Sequence, residues 1–148
     1  VYGPEASLPA SEHAPTNPVT HYAISKVAME QAARLVSDRL PVIVARPFNY
    51  TGPGQSTDFV APKIVEHFRH RVPRIQLGAL DVEREFNDVR FVCDAYLGLL
   101  ERGVPGETYN LATGRSSTVR TIVETLSALT GHIPEIETAP TLVRRNEI

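Results

Sequence analysis

The chain has 148 residues, 42% of them hydrophobic and 22% charged, enough for one domain with a sizeable core and too few for two of ordinary size. Its 15 Lys and Arg against 17 Asp and Glu leave a formal net charge of −2, so no positive field draws it to nucleic acid or anionic lipid, and neither is expected as a partner. The single cysteine, Cys93, cannot form an internal disulfide, and no apolar run reaches the length of a membrane span, so a cytoplasmic protein is expected.

Residues 1–18 carry Pro4, Pro9, Pro15 and Pro18, which bars a continuous helix or a central strand and predicts an ordered loop. The spacing then predicts a helix over Thr20–Arg39. Ile24, Ala28, Ala32 and Leu35 form one stripe, Tyr22, Lys26, Met29, Ala33 and Val36 a second, and Glu30, Arg34 and Asp38 the remaining edge. Two covered faces call for a partner beyond the sheet, so a homodimer through this helix is expected.

Val42-Ile43-Val44-Ala45 is a short β-branched run between prolines, which predicts an interior strand of a parallel sheet. It leads into Arg46-Pro47-Phe48-Asn49 and Gly52-Pro53-Gly54-Gln55, a loop at the carboxyl end of that strand. Helices are predicted at Phe59–His70, Val89–Glu101 and Ser117–Thr130, the last stopped by Gly131. Short strands are predicted at Arg74–Leu77, Arg84–Asn87 and Glu107–Leu111. Alternation of strands and helices argues an α/β fold.

Tyr22 and Lys26 stand at i and i+4, so both side chains leave one helix face a turn apart. An ammonium there lowers the cost of a phenolate, which a tyrosine needs to serve as acid or base near neutral pH. An isolated pair of this kind also suits a tyrosine packing its ring while the lysine reaches water. The five histidines show no paired metal spacing.

The neighbourhood favours the chemical reading. Val1-Tyr2-Gly3, Pro18 before Tyr22, Ser25-Lys26, the strand ending in Arg46-Pro47-Phe48-Asn49, then Gly52-Pro53-Gly54, Arg84-Glu85-Phe86-Asn87-Asp88-Val89 and Gly106-Glu107-Thr108-Tyr109-Asn110 follow in order. Together they resemble the extended short-chain dehydrogenase/reductase family acting on nucleotide sugars. Within it, Gly52 to Gln55, Asp58 to Ile64, and Leu77-Gly78 with Leu80-Asp81 are most similar to the GDP-4-dehydro-6-deoxy-mannose reductases and GDP-mannose 4,6-dehydratases.

The resemblance implies the C-terminal portion of a Rossmann-type parallel sheet with helices and a small substrate-binding region. It implies Tyr22 as catalytic acid/base and Lys26 on the nicotinamide ribose, with Tyr22, Lys26 and Pro47 at an NADP or NAD cofactor. It places Asn49, Val60, Lys63, Arg84, Arg144 and Glu147 at a nucleotide-sugar substrate, the arginines on phosphate, for which a guanidinium fork is suited. Arg145, Glu85 and Phe91 replace a proline and two aspartates of the family pattern.

The glycine-rich Gly-x-x-Gly-x-x-Gly turn that holds a dinucleotide pyrophosphate is absent from the 148 residues. The chain opens at Val1, and a C-terminal half of a longer enzyme is expected, unable by itself to bind the cofactor. The leading function is 4-keto reduction of a GDP-6-deoxyhexose. A 4,6-dehydratase or epimerase, in which Tyr22 first removes a hydroxyl proton, and a non-catalytic nucleotide-binding relative are the alternatives.

Overall fold

The computed structural model describes residues 1–143. In chain order the elements are α1 (His21–Arg34), β1 (Val44–Pro47), β2 (Tyr50–Thr51), α2 (Val60–Arg69), β3 (Arg74–Leu77), β4 (Glu83–Glu85), β5 (Asn87–Asp88), α3 (Val89–Arg102), β6 (Thr108–Leu111), β7 (Ser116–Thr118), α4 (Val119–Thr130) and β8 (Glu135–Thr138), followed by a 3₁₀ turn at Pro140–Leu142. The fold is α/β. The chain forms two compact units, one from Val1–Phe48 with Arg90–Gly114, the other from Asn49–Val89 with the chain from Arg115 onward.

In the first unit β1 and β6 pair in parallel, in register from Val44 opposite Thr108 to Pro47 opposite Leu111. Val44, Val92 and Leu111 are its buried aliphatics. The strand expected at Val42–Ala45 begins two residues later, and among the described residues it pairs with β6. Hydrogen bonding explains the shift. The Gly106 amide reaches back to the Val42 carbonyl at 2.7 Å, and the Val44 amide donates to the Glu107 carbonyl at 3.0 Å, which fixes where the ladder starts. Val44 and Phe48 both donate toward β6, so the odd-numbered Pro47, which has no N–H to give, is out of phase with this ladder and costs it no hydrogen bond.

The helix expected over Thr20–Arg39 is α1 alone. Thr20 caps its start, its Oγ1 accepting from the Ala23 amide at 3.1 Å. Beyond Arg34 the backbone tightens to i→i+3 bonds: Val36 to the Ala33 carbonyl and Ser37 to the Arg34 carbonyl. The Ser37 hydroxyl also donates to the Arg34 carbonyl at 2.7 Å, competing for the acceptor that a longer helix would use. Neither predicted apolar stripe is buried. Ile24, Met29 and Leu35 are exposed, and the buried residue of α1 is Glu30.

In the second unit α2 and α4 cover the parallel pair β3–β8. The core joins Ile64 and Phe68 of α2, Ile75 and Leu77 of β3, and Val119 and Val123 of α4, with Val60, Leu80, Ile122, Leu126 and Ile136 packed around them. These positions recur at three- and four-residue spacing in the helices and at two in β3, which is why each element presents one apolar face. Ile64, Ile75 and Leu77 are fully buried, each contributing about 1.5–3 kcal/mol by leaving water. Thr118 caps α4 through the Thr121 amide at 3.0 Å, and Gly131 closes it in the left-handed region at φ 65°.

The predicted strand at Arg84–Asn87 divides at Phe86 into β4 and β5. β4 runs antiparallel to β7, and β5 parallel to the two-residue β2. Gly52, just after β2, lies so close to Val89 that a Cβ there would strike its side chain.

Candidate active site

Tyr22 is the second residue of α1, and its side chain is 71% exposed. Lys26 follows one turn later with its Nζ 5.3 Å from the centroid of the Tyr22 ring, a cation over an aromatic face. The Ser25 hydroxyl donates to the Tyr22 carbonyl at 2.8 Å. The first turn of α1 holds no acidic residue, so the positive end of the helix dipole is left to favour negative charge near Tyr22. Among the described residues neither the Tyr22 hydroxyl nor the Lys26 ammonium has a hydrogen-bond or ion-pair partner. A phenol and an ammonium side by side, with donors open to solvent, suit a ribose diol and an adjacent sugar oxygen. The residues present therefore fit the nicotinamide-ribose end of a dinucleotide.

The predicted helix edge of Glu30, Arg34 and Asp38 contains what sequence reasoning missed. Glu30 and Arg46 form a buried two-toothed ion pair, Nη2 to Oε2 at 2.7 Å and Nε to Oε1 at 3.0 Å, with side chains 8% and 9% exposed. Arg46 Nη1 also donates to the Tyr2 hydroxyl at 2.8 Å and to the Glu12 carbonyl at 3.3 Å. Its charge sits over the Tyr2 ring, 4.9 Å from the centroid. The Tyr2 hydroxyl donates to Asn110 Oδ1, and Asn110 in turn donates from Nδ2 to the Ala10 carbonyl at 2.8 Å and from its backbone amide to Glu12 Oε1 at 2.9 Å. These bonds order the proline-rich residues 1–18 without any regular element. The Glu30 carboxylate, acting first, and the Tyr2 hydroxyl hold the Arg46 pKa well above its ordinary value. The Asn110 amide, first among several causes, lowers that of Glu12. A hint lay in the sequence: Glu30 stands four residues after Lys26, and Arg46 stands directly before Pro47.

Tyr22, Lys26 and Pro47 all fall in the first unit; Asn49, Val60, Lys63 and Arg84 fall in the second. Asn49 is exposed beside β2, and its carbonyl accepts from the Asn87 amide at 2.9 Å. Val60 opens α2 and packs on the core cluster. Lys63, one turn on, donates from Nζ to the Gln76 carbonyl at 2.6 Å, which anchors the ammonium to β3 and leaves two of its three donors for a ligand. Arg84 is half-buried on β4 opposite Ser117. Arg144 and Glu147 lie outside the described residues. Among the described residues no cluster of His, Cys, Asp or Glu could hold a metal ion, and no helix is long and apolar enough to cross a membrane.

Comparison with known proteins fits this arrangement. The profile of the family described as GDP-mannose 4,6 dehydratase matches residues 1–143. The chain belongs to that family. Within the GDP-mannose 4,6-dehydratase family and its relatives, it is 36% identical to the GDP-6-deoxy-D-mannose reductase of Pseudomonas aeruginosa over 99% of this chain and 51% of that protein. It is 34% identical to the GDP-6-deoxy-D-talose 4-dehydrogenase of Aggregatibacter actinomycetemcomitans over 100% of this chain and 50% of the other. The solved structure of RMD from Pseudomonas aeruginosa complexed with NADPH superposes with a TM-score of 0.88 at 36% identity, covering 98% of this chain and 51% of that one. This member of the GDP-mannose 4,6-dehydratase family thus spans about half the length of the curated relatives it matches and shares the Rossmann-type α/β fold of its structural neighbours.

Proposed function

We propose that the chain is the C-terminal half of an NAD(P)-dependent nucleotide-sugar oxidoreductase that reduces the 4-keto group of a GDP-6-deoxyhexose. The observation that carries this reading is the Tyr22–Lys26 pair at the open N-terminal end of α1, the ammonium 5.3 Å from the ring centroid. The nucleotide and sugar are taken from the GDP-deoxyhexose enzymes to which the chain is 36% and 34% identical. The half-length span and the missing glycine-rich turn support a second half that carries the pyrophosphate site.

When bound, the reduced nicotinamide supplies a hydride to C4. Tyr22 gives its phenolic proton to the 4-oxygen, so the carbonyl becomes a hydroxyl and the phenol a phenolate. Lys26 stabilises that phenolate through space and binds ribose hydroxyls with its remaining donors. The helix dipole acts in the same direction. Asn49 touches the sugar, Val60 and Lys63 border the nucleotide, Pro47 lines the nicotinamide pocket, and Arg84, with Arg144, binds the diphosphate while Glu147 takes ribose hydroxyls.

Spectrophotometric assay of the full-length enzyme tests the reading: oxidation of NADPH or NADH is expected with a GDP-4-keto-6-deoxyhexose. Release of water from GDP-mannose instead would make the enzyme a dehydratase, with Tyr22 starting as base. In the same enzyme, Arg84→Ala is expected to weaken the nucleotide sugar by about 2 kcal/mol, roughly 30-fold, because a charge-assisted pair to diphosphate is lost. Binding of the free sugar is expected to stay unchanged. Equal losses for both ligands would place Arg84 away from phosphate.

The exposed Ile24 of α1 and Leu35 just beyond it on one stripe, and Met29 on the other, support a homodimer through this helix, since apolar side chains on two faces seek cover. Sedimentation at micromolar concentration is expected to give a dimer, and a monomer would contradict it. A single cysteine suits the reducing cytoplasm as the place of action.

A further inference from the structure

Tyr22, Lys26, Glu30 and Arg34 follow one another at four-residue steps along α1. Each step turns about 40° around the helix axis, so the four form one slowly winding stripe. The first two carry the proposed chemistry; the last two carry the attachment. Glu30 grips Arg46 of β1 with two hydrogen bonds of 2.7 and 3.0 Å, and Arg34 Nη2 donates to Thr108 Oγ1 of β6 at 2.9 Å. Glu30 is the buried residue of α1, so its contacts bear most directly on how the helix is turned. A two-toothed carboxylate–guanidinium pair is planar and tolerates little rotation. Arg46 is itself held from the other side by the Tyr2 hydroxyl and the Glu12 carbonyl.

We propose that the buried Glu30–Arg46 pair is a positioning device, setting the rotation of α1 about its axis and hence the reach of the Tyr22 hydroxyl to the substrate oxygen. This rests on the reading of Tyr22 as the proton donor. A helix surface lies about 5–6 Å from the axis, so a rotation of about 10° displaces a side chain by about 1 Å. A misplacement of that size at a reacting group is enough for a large loss of rate. Glu30 and Arg46 touch neither substrate nor cofactor in this scheme, so their effect passes through Tyr22.

The test is a double-mutant cycle in the full-length enzyme, using Glu30→Gln and Tyr22→Phe. Glu30→Gln keeps the side chain's shape and turns one acceptor oxygen into a nitrogen that meets a guanidinium N–H donor to donor. Alone it is expected to lower kcat by about tenfold or more with KM for the nucleotide sugar within about twofold. In the Tyr22→Phe background it is expected to change kcat by less than about twofold, because the group it aims is already gone. The same fold-loss in both backgrounds would show a merely structural pair and overturn the proposal, as would an unchanged kcat in Glu30→Gln. Near-normal turnover of Tyr22→Phe alone would overturn the functional reading itself, a separate result. If Glu30→Gln does not fold, Arg46→Lys, which keeps the charge and loses the fork, runs the same cycle with the same expected outcomes.

Discussion

Tyr22→Phe in the full-length enzyme is expected to lower kcat by roughly 10²-fold or more while leaving KM for the nucleotide sugar nearly unchanged. The substitution removes one oxygen. What it deletes is proton transfer to the developing alkoxide, a contribution of about 10²–10⁴ when a positioned acid supplies it. The ring stays, and at 71% exposure with no partner for its hydroxyl among the described residues it contributes little to folding, so thermal stability is expected to hold. That separation makes the result interpretable: a loss of kcat and kcat/KM together, without unfolding, marks an interaction made in the transition state. Lys26→Ala is expected to differ by weakening cofactor binding as well, since its ammonium serves both the phenolate and the ribose. Turnover of Tyr22→Phe close to that of the parent would return Tyr22 to a solvent-facing side chain whose neighbour reaches for water.

What could be foreseen from the amino acids follows the range of the interactions involved. Tyr22 and Lys26 were legible because an i,i+4 relation is local: any helix through Thr20 and Ala28 brings them together. α2, β3 and α4 were legible for a similar reason, each advertising one apolar face at helical or alternating spacing, with Gly131 at the stop of α4. The end of α1 was not. Periodicity continues to Arg39, but the Ser37 hydroxyl competes for the Arg34 carbonyl, and Leu35 at that turn is exposed. The predicted start of the first strand failed on pairing rather than on propensity. Val42 to Ala45 is a good strand sequence, yet one partner, β6, and its register decide where the ladder begins. β7 and β8 were too short and too polar to show a period, and the antiparallel β4–β7 pair depends on residues more than 30 apart. Glu30–Arg46 is the sharpest case. Helical pattern reasoning assigns a charged edge to solvent, and the opposite outcome is decided by a guanidinium 16 residues away.

Arg46→Ala is expected to destabilise the first unit by about 3–5 kcal/mol, the cost of leaving one member of a buried ion pair without the other. The side chains of Arg46 and Glu30 are 9% and 8% exposed, so water cannot substitute well for the lost guanidinium, and the Tyr2 hydroxyl and Glu12 carbonyl each lose a donor too. Removing both charges is a different matter. The Arg46→Met/Glu30→Met double variant is expected to regain at least about 2 kcal/mol over Arg46→Ala, because two apolar side chains of similar length carry no desolvation cost. It is expected to remain about 1 kcal/mol below the parent, since the Glu12 carbonyl still lacks its partner while Tyr2 keeps Asn110. Two compact units make a single unfolding midpoint a poor measure of either. Hydrogen exchange at the Val44 amide, bonded to the Glu107 carbonyl at 3.0 Å, reads the opening of the β1–β6 pair directly in the full-length protein. A double variant whose Val44 amide exchanges as fast as that of Arg46→Ala would mean that the missing guanidinium contacts to Tyr2 and Glu12, and not the stranded Glu30 carboxylate, account for the loss.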